Sequence, residues 1–290
     1  MGIGVGRADL QLHSDLGDGL SPPEAMLDAA ERAGLDVMAI TDHDDIRGSF
    51  QARDAAARRG SPIAVITGIE VTTRSGHLIA LYVEDEVPML RPLAETVAAI
   101  HERGGLALVP HPLSYLTFSV GERALRDLAE RGDAAAFVDG IEVRNPSYAG
   151  RVRAARAAWL NAHVLRVAET GSSDAHHASL VATAWTEFPG ATAEDLRTAI
   201  GARATVAAGR MWTLHEHLAG SVRQQWRSML RDPAKRVWRR YVGGTPLRPA
   251  GAQTEGRGPS PSEARHGSGP RGRAPAPEGG VPPTEGRNRD

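Results

Sequence analysis

The sequence predicts an α/β fold: a largely parallel β-sheet, open or closed into a barrel, with helices on its surface. Within residues 1–200, short apolar runs rich in β-branched residues alternate with longer segments rich in Ala, Arg and Glu. This alternation is typical of β/α units. Several of the longer segments begin and end on residues that favour helix termini. The chain has 290 residues, 41% of them hydrophobic and 24% charged, so it can bury one barrel-sized core or two smaller ones.

The predicted strands are short and apolar. The first ends at the stretch that contains His13. Five more strand-like runs follow, at Val37–Thr41, Ile63–Val71, Leu106–Pro110, Gly140–Asn145 and Val164–Thr170. The run Glu70–Val83 divides into two strand-like halves around Ser75 and Gly76. We therefore expect a β-hairpin inserted after the third strand.

Six longer segments are predicted helices. They cover residues 22–33, 48–59, 89–103, 121–131, 150–162 and 193–201. Ser21 precedes two prolines and Glu24, which predicts an N-cap with a capping-box partner. Thr192 and Asp195 form a looser version of the same signal. Gly34, Gly60 and Gly104-Gly105 follow helical segments, where a left-handed residue is useful.

Residues 1–210 are predicted to form the barrel domain, and two regions of different composition follow it. Residues 221–241 contain seven Arg or Lys and one Asp. Apolar residues recur there at roughly helical spacing, so we expect a basic amphipathic segment over 211–242. It either packs Trp226 and Trp238 against the barrel or binds an anionic surface such as a membrane or a phosphate backbone. Residues 243–290 are rich in Pro, Gly and Arg, which predicts disorder.

The composition argues against several classes of protein. There is no long apolar run and no basic start followed by an apolar stretch, so we expect neither a membrane span nor a secretory signal, and we expect a cytoplasmic protein. The chain has no Cys, which rules out disulfides, thiolate-bound metals and a thiol nucleophile. Neither a G-x-S-x-G elbow nor a P-loop motif occurs, which disfavours a serine hydrolase and a P-loop nucleotide site. We infer no obligate protein partner.

Imidazoles and carboxylates cluster just after the predicted strands. These residues are His13, Asp18, Asp42, His43, Asp44, Asp45, Glu70, His77, His111, Asp174, His176 and His177. Because the C-terminal ends of parallel strands meet at one edge of a sheet, we expect these side chains to converge. A single His or Asp at a strand end usually faces solvent or caps a helix, as Asp44 or Asp45 would. So many together instead predict two or three Zn-, Mn- or Fe-type ions with nitrogen and oxygen ligands.

The chain resembles the PHP (polymerase and histidinol phosphatase) superfamily, and within it the stand-alone metal-dependent phosphoesterases. Six stretches support the resemblance, in order between about Asp9 and Ile200: DLQLHSDLGDG, AITDHDD, GIEVTT with SGHLIAL, GGLALVPHP, GIEVRNP and GSSDAHH. The resemblance implies a distorted (β/α)7 TIM-like barrel with a cluster of three metal ions at its C-terminal rim.

The resemblance also implies a set of metal ligands. They are Gln11, His13, Glu70 and Asp174 for one metal, Glu70, His77 and His111 for a second, and Asp18, His43 and His176 for a third. Eight of these nine positions have the expected residue type. Gln11 is the exception, because the family has an imidazole there. An amide oxygen is a weaker ligand than imidazole for Zn-like ions, so we expect the first metal to be held less tightly.

We therefore expect a hydrolase of phosphate esters that uses a metal-bound water, with Glu70 as the bridging carboxylate. Arg144 and Asn145, at the end of the fifth strand, are predicted to bind substrate, and a salt bridge is the alternative for Arg144. The partner would be a phosphorylated small molecule, a nucleotide or a nucleic-acid end. Two alternatives stay open: hydrolysis of a carbamate, amide or ester on the same scaffold, and a non-catalytic binding module.

Overall fold

The computed structural model describes residues 4–214 and 216–217. Within them, nine strands form a single sheet: β1 Val5–Leu12, β2 Val37–Ile40, β3 Ala64–Thr72, β4 His77–Leu81, β5 Leu106–Val109, β6 Gly140–Arg144, β7 Ala168–Gly171, β8 Ala184–Pro189 and β9 Val206–Gly209. The α-helices of the same residues are α1 Pro23–Ala33, α2 Arg47–Arg59, α3 Leu93–Glu102, α4 Glu122–Arg131, α5 Tyr148–Arg151, α6 Ala154–Leu160 and α7 Ala193–Ala202.

The sheet is mixed, with two parallel blocks on either side of a hairpin. The strand order is β7-β6-β5-β4-β3-β2-β1-β8-β9. Strands β1, β2 and β3 are parallel to one another, as are β5, β6 and β7. Strand β4 runs antiparallel to both of its neighbours, and Thr72 pairs with His77 next to the turn. The hairpin predicted from the Ser75-Gly76 pair is therefore confirmed.

The two ends of the sheet approach each other and nearly close a barrel. The Thr186 hydroxyl of β8 accepts a 3.0 Å hydrogen bond from the N–H of Gly171 in β7 and donates a 2.9 Å hydrogen bond to the Gly171 carbonyl. Gly171 has no side chain at this contact, and a Cβ there would lie 2.7 Å from the Trp185 carbonyl oxygen. Close approach of the backbones at this seam thus depends on glycine. The predicted α/β barrel is confirmed.

Three apolar clusters hold the barrel together. One gathers buried residues from strands around the whole barrel, including Leu10, Ile79 and Phe188, together with Leu196 of α7. Two others lie between strands and the covering helices. Burial of this apolar area is the main stabilising contribution to such a fold. It leaves the loops at the C-terminal ends of the strands free to present polar side chains.

Several local features differ from the sequence predictions. Helix α1 begins after Pro22, and the Ser21 hydroxyl accepts the Ala178 N–H instead of capping the helix. The predicted helix 150–162 divides into α5 and α6 at Arg153, which has a φ of +64°. Strands β8 and β9 were not predicted. The reason is that β8 mixes polar and apolar residues and β9 is a four-residue, half-exposed Ala-rich segment. The Thr192–Asp195 capping box is present as predicted.

Most of the C-terminal prediction lies outside the described residues. This holds for the basic segment 211–242, except for residues 211–214 and 216–217, and for the whole tail 243–290. In the part of the chain that the structure describes, no helix combines the length and the apolar character needed to cross a bilayer.

Candidate metal centre

The nine side chains that the family resemblance implies as metal ligands lie together at one end of the barrel. They are Gln11, His13, Asp18, His43, Glu70, His77, His111, Asp174 and His176, all buried or largely so. Backbone pairing brings their segments into contact. His43 forms a β-bridge with Glu70, and the Asp44 N–H donates to the Glu70 carbonyl at 2.9 Å. The His13 N–H donates to the Ala175 carbonyl, also at 2.9 Å, which joins the ends of β1 and β7.

Glu70 lies at the middle of the cluster and is fully buried. Its Oε1 is 2.9 Å from His77 Nδ1 and 3.2 Å from His111 Nε2. Its Oε2 accepts a 2.9 Å hydrogen bond from Gln11 Nε2 and lies 3.1 Å from His13 Nε2. One carboxylate therefore connects four segments of the chain, as a bridging ligand would have to do.

Two more carboxylates complete the cluster. Asp18 Oδ2 lies 3.3 Å from His176 Nε2 and 3.9 Å from His43 Nε2. Asp174 Oδ1 lies 3.4 Å from His13 Nε2 and 3.8 Å from His176 Nδ1. Three triads have ligand atoms within 4.8 Å of one another: His13 with Asp18 and His43, His13 with Asp174 and His176, and His43 with Glu70 and His77.

The electrostatics of the cluster are those of closely packed, oppositely charged groups. Burial alone would raise the pKa of Glu70, but the imidazoles of His43 and His77 hold that pKa well below its usual range. Burial opposes protonation of His111, yet the Glu70 carboxylate raises its pKa to about 9. For His43, burial is the largest influence and lowers its pKa well below the usual value. The two imidazoles differ in proton affinity because His111 lies 3.2 Å from a Glu70 oxygen, whereas the carboxylates of Asp18 and Glu70 are both 3.9 Å from His43 and its imidazole neighbours oppose its charge.

The donor set fits divalent cations. Several buried nitrogen and oxygen atoms of the cluster form no hydrogen bond of normal geometry among the residues that the structure describes. They are Gln11 Oε1, both ring nitrogens of His13, both carboxylate oxygens of Asp18, and Nδ1 of His43 and His77; all but Gln11 Oε1 lie within 4 Å of an oppositely charged group. Buried polar atoms are normally paired, because an unpaired one costs about 1–3 kcal/mol. Imidazole nitrogens and carboxylate oxygens grouped as closely as in these three triads suit Zn-, Mn- or Fe-type ions.

Strained backbone occurs at two of the nine residues. His111 has a φ of +31° and Asp174 a φ of +53°. Such values are uncommon for residues other than glycine and persist where the surrounding structure holds them. Ser119 does so for His111, because its hydroxyl lies 2.8 Å from His111 Nδ1 and 2.7 Å from the His111 carbonyl oxygen.

Asp42 supports the centre without facing it, a role that the sequence did not reveal. It follows β2, and its carboxylate accepts the backbone N–H and the hydroxyl of Ser14, both at 2.6 Å. Burial raises the pKa of Asp42 to about 7. These bonds tie the segment after His13 to the segment before His43, so Asp42 fixes the distance between two imidazoles. Asp44 binds the Thr72 N–H and hydroxyl, and Asp45 binds Arg47 at the start of α2.

Glu142 and Asn145 form a second supporting pair. The Asn145 amide donates to Glu142 Oε2 at 3.0 Å and to Asp174 Oδ2 at 3.2 Å. Glu142 also accepts the His111 N–H at 2.6 Å, and burial raises its pKa to about 8. Asn145 was predicted to bind substrate, but its side-chain amide donates hydrogen bonds to two carboxylates. The sequence did contain a signal for Glu142, because this acid lies between the apolar residues Ile141 and Val143 of a predicted strand.

Two other predicted positions lie at the surface. Arg144 is exposed at the end of β6 and forms no ion pair with a described residue. His177 is exposed and accepts the Ser179 N–H at the start of a short 3-10 turn. His101 of α3 lies outside the cluster, and its Nε2 is 2.9 Å from Asp139 Oδ2.

The model of the PHP domain family matches residues 9–180, more than half of the chain. The chain belongs to the PHP domain family. An uncharacterized protein of Methanocaldococcus jannaschii is 33% identical over 150 residues, which are 48% of this chain and 81% of that protein.

Two relatives with named activities match over shorter stretches. A 3',5'-nucleoside bisphosphate phosphatase of Chromobacterium violaceum is 36% identical over 30% of this chain. A 5'-3' exoribonuclease of Haemophilus influenzae is 33% identical over 33% of it. The matched region spans only about a third of each of these relatives, 31% and 36% of their lengths.

Solved structures share the fold. A two-domain protein from Bacteroides vulgatus containing a predicted PHP-like metal-dependent phosphoesterase superposes with a TM-score of 0.59 at 20% identity, over 75% of this chain and 69% of that one. PsfC from Pseudomonas syringae superposes with a TM-score of 0.56 at 20% identity, over 78% of this chain and 99% of PsfC. The PHP-like barrel predicted from the sequence motifs is therefore confirmed.

Proposed function

We propose that this PHP protein hydrolyses phosphate esters with the help of two or three divalent ions. The observation that carries the proposal is the cluster around Glu70. Eight imidazole and carboxylate side chains from separate segments meet there, and many of their buried ligand atoms lack a hydrogen-bond partner among the described residues. A barrel that had become a purely structural or binding module would have no reason to keep this arrangement, because close-packed acids and imidazoles cost stability.

The residues of the cluster would hold Zn, Mn or Fe ions. His77 and His111 would bind with Glu70 Oε1, while Asp18, His43 and His176 would form a neighbouring set. Bound divalent ions lower the pKa of water and neutralise charge on a phosphate. Glu70 would keep the ions at a fixed spacing, because backbone pairing on both sides holds its strand.

Residues outside the ligand set would orient both the ligands and the substrate. Asn145 fixes the Asp174 carboxylate through its amide. Arg144 precedes it at the exposed end of β6, and a guanidinium there suits two non-bridging phosphate oxygens. Ser119 holds the His111 ring through Nδ1, which leaves Nε2 directed at Glu70. Such contacts outside the ligand set fix the tautomer and direction of a ligating imidazole.

The substrate would be a nucleotide, an oligonucleotide end or a small phosphorylated metabolite. The names of two partial relatives, a nucleoside bisphosphate phosphatase and an exoribonuclease, support the first two. We further propose that the domain ends near residue 210 and that the basic segment 211–242 adds affinity for anionic partners in the cytoplasm.

A substrate panel tests the proposed reaction. Protein supplied with Mn²⁺ or Zn²⁺ is assayed with nitrophenyl phosphate, nucleotides and short oligonucleotides, and in parallel with aryl esters and carbamates. We expect turnover of phosphate esters, abolished by Glu70→Ala and retained by Glu84→Ala, whose exposed carboxylate pairs with Arg53. Turnover of the carbonyl substrates alone, lost in Glu70→Ala, would show that the reaction is a different hydrolysis on the same scaffold.

A further inference from the structure

The loop that follows β5 exposes an unusual amount of apolar surface. We call residues 112–119 the rim loop. Its side chains Tyr115, Leu116 and Phe118 are 74, 51 and 47% exposed, so three of the nine exposed large hydrophobic residues in the described chain fall within four positions. Contiguous exposed apolar residues often mark a binding surface. The rim loop also contains no charged residue.

The backbone of the rim loop is firmly attached to the candidate metal centre. The Phe118 carbonyl accepts the His77 N–H at 3.0 Å, and the Leu113 N–H donates to the Val120 carbonyl at 3.1 Å. A Cβ on Gly76 would collide with the backbone of Ser119, so the hairpin turn and the loop touch directly. The backbone of the rim loop is therefore held on both sides of Tyr115 and Leu116.

Phe118 extends this apolar surface to the centre itself. Its ring meets the His77 ring edge-on, with centroids 5.5 Å apart, and His77 Nδ1 is 2.9 Å from Glu70 Oε1. A phosphate bound beside Glu70 would thus have an uncharged, partly aromatic surface within roughly one nucleotide length. The anionic and the apolar parts of one substrate would each meet a matching surface.

We propose that the rim loop is the subsite for the leaving group and that it takes a nucleobase, stacked on Tyr115 and Phe118. This inference rests on the proposed phosphate-ester hydrolysis. Aromatic side chains stack on any nucleobase, because every base has a flat π-face. A charged leaving group would find no ionic partner in the loop, and a sugar without a base has no flat π-face to stack on its aromatic rings. The favoured substrates are therefore nucleotides or the terminal nucleotide of an oligonucleotide.

The test compares AMP with ribose 5-phosphate, which has the same phosphate and sugar but no base. We expect the wild-type kcat/KM to favour AMP by roughly five- to a hundredfold, the usual range for one stacked base. Tyr115→Ala should remove most of this preference by raising the KM for AMP, while Tyr115→Phe retains it. Adenosine should compete with ribose 5-phosphate in the wild type and compete much less in Tyr115→Ala.

Two controls make the result specific. Val5→Ala removes a similarly exposed apolar side chain, 66% exposed, at the end of β1 that is far from the candidate metal centre. It should change the kcat/KM of neither ester. Metal content is measured in every variant. The test substitutes Tyr115 and leaves Phe118 in place, because the Phe118 ring contacts His77 of the candidate metal centre. If both esters are hydrolysed with equal efficiency, or Tyr115→Ala leaves the ratio unchanged, the nucleobase subsite is wrong and the phosphoesterase proposal stands. If neither ester is hydrolysed with any metal, both proposals fall.

Discussion

The two oxygens of Glu70 face different surroundings. Oε1 meets two imidazole nitrogens, from His77 and His111, at 2.9 and 3.2 Å. Oε2 meets one imidazole nitrogen, from His13, and the amide nitrogen of Gln11 at 2.9 Å. An imidazole can offer a lone pair to a metal, whereas an amide N–H can only donate a hydrogen bond. The difference indicates that the Oε1 side is equipped to hold an ion more tightly than the Oε2 side.

Gln11 contributes a hydrogen bond to the carboxylate. It is fully buried, and its Oε1 has no hydrogen-bond partner among the described residues. The amide donor occupies one lone pair of Glu70 Oε2 and stabilises its negative charge. In this arrangement Gln11 orients Glu70 toward His77 and His111. At the metal position predicted beside Gln11, a hydrogen-bonded amide stands in place of one imidazole, so His13, Glu70 and Asp174 would be its strong ligands.

Substitution of Gln11 tests whether the two sides of Glu70 differ in metal affinity, and it should have the largest effect of the substitutions proposed here. We expect wild-type protein to retain fewer than three metal ions per chain after dialysis, and Gln11→His to raise the count by about one, because it replaces a donor with an imidazole lone pair. The measurement is elemental analysis of dialysed protein with calorimetric titration of Mn²⁺. Gln11→Leu, which removes the donor and adds no ligand, should not raise the count. Three tightly bound ions in the wild type, unchanged in Gln11→His, would show that the two sides of Glu70 are equivalent.

Asn145 tests whether the Asp174 side of the centre depends on its support. Asn145→Ala removes the hydrogen bonds to Glu142 and Asp174, so Asp174 loses a fixed orientation. We expect a loss of roughly ten- to a hundredfold in kcat or in metal affinity, the usual effect of removing a partner of a ligand. Titration of Mn²⁺ against activity separates the two quantities. A rise in KM alone, with metal affinity and kcat unchanged, would instead identify Asn145 as a substrate contact.

The sequence predicted which side chains converge better than it predicted the residues that support them, for a physical reason. His13, His43 and Asp174 follow strands, and the ends of parallel strands meet whatever the helices do, so their convergence follows from order along the chain. The roles of Asp42 and Glu142 depend on partners 28 and 31 residues away, Ser14 and His111. No local pattern identifies those partners.

The same limit applies to the helix ends. Thr192 caps α7 as predicted because its partner Asp195 is local. Ser21 has an equally good local signal, yet its hydroxyl binds the N–H of Ala178, 157 residues away. Tertiary contact overrides local preference where a competing donor is brought close by the fold.

A partly exposed carboxylate contrasts with the buried Glu70 and gives the smallest expected effect. Glu122, at the start of α4, binds Arg156 at 2.7 and 2.9 Å and Arg126 at 2.8 Å. Hydrogen bonds, first from Arg156 and then from Arg126, lower its pKa from 4.5 to about 2. Its side chain is 27% exposed, so water screens these pairs. We expect Glu122→Gln to destabilise the protein by less than about 1 kcal/mol.

The pH dependence of that loss has a definite sign. Because the pKa of Glu122 is lower in the folded protein than in the unfolded chain, its contribution is complete at pH values above about 4.5 and disappears as the pH falls toward 2. The difference in melting temperature between wild type and Glu122→Gln should therefore be positive at pH 7 and shrink over that interval. Glu130→Gln, an exposed acid on the same helix, is the matched control. A difference that is constant down to pH 2 would mean that Glu122 stabilises α4 through packing, whereas a shrinking one shows that the stabilisation comes from charge pairing with Arg156 and Arg126.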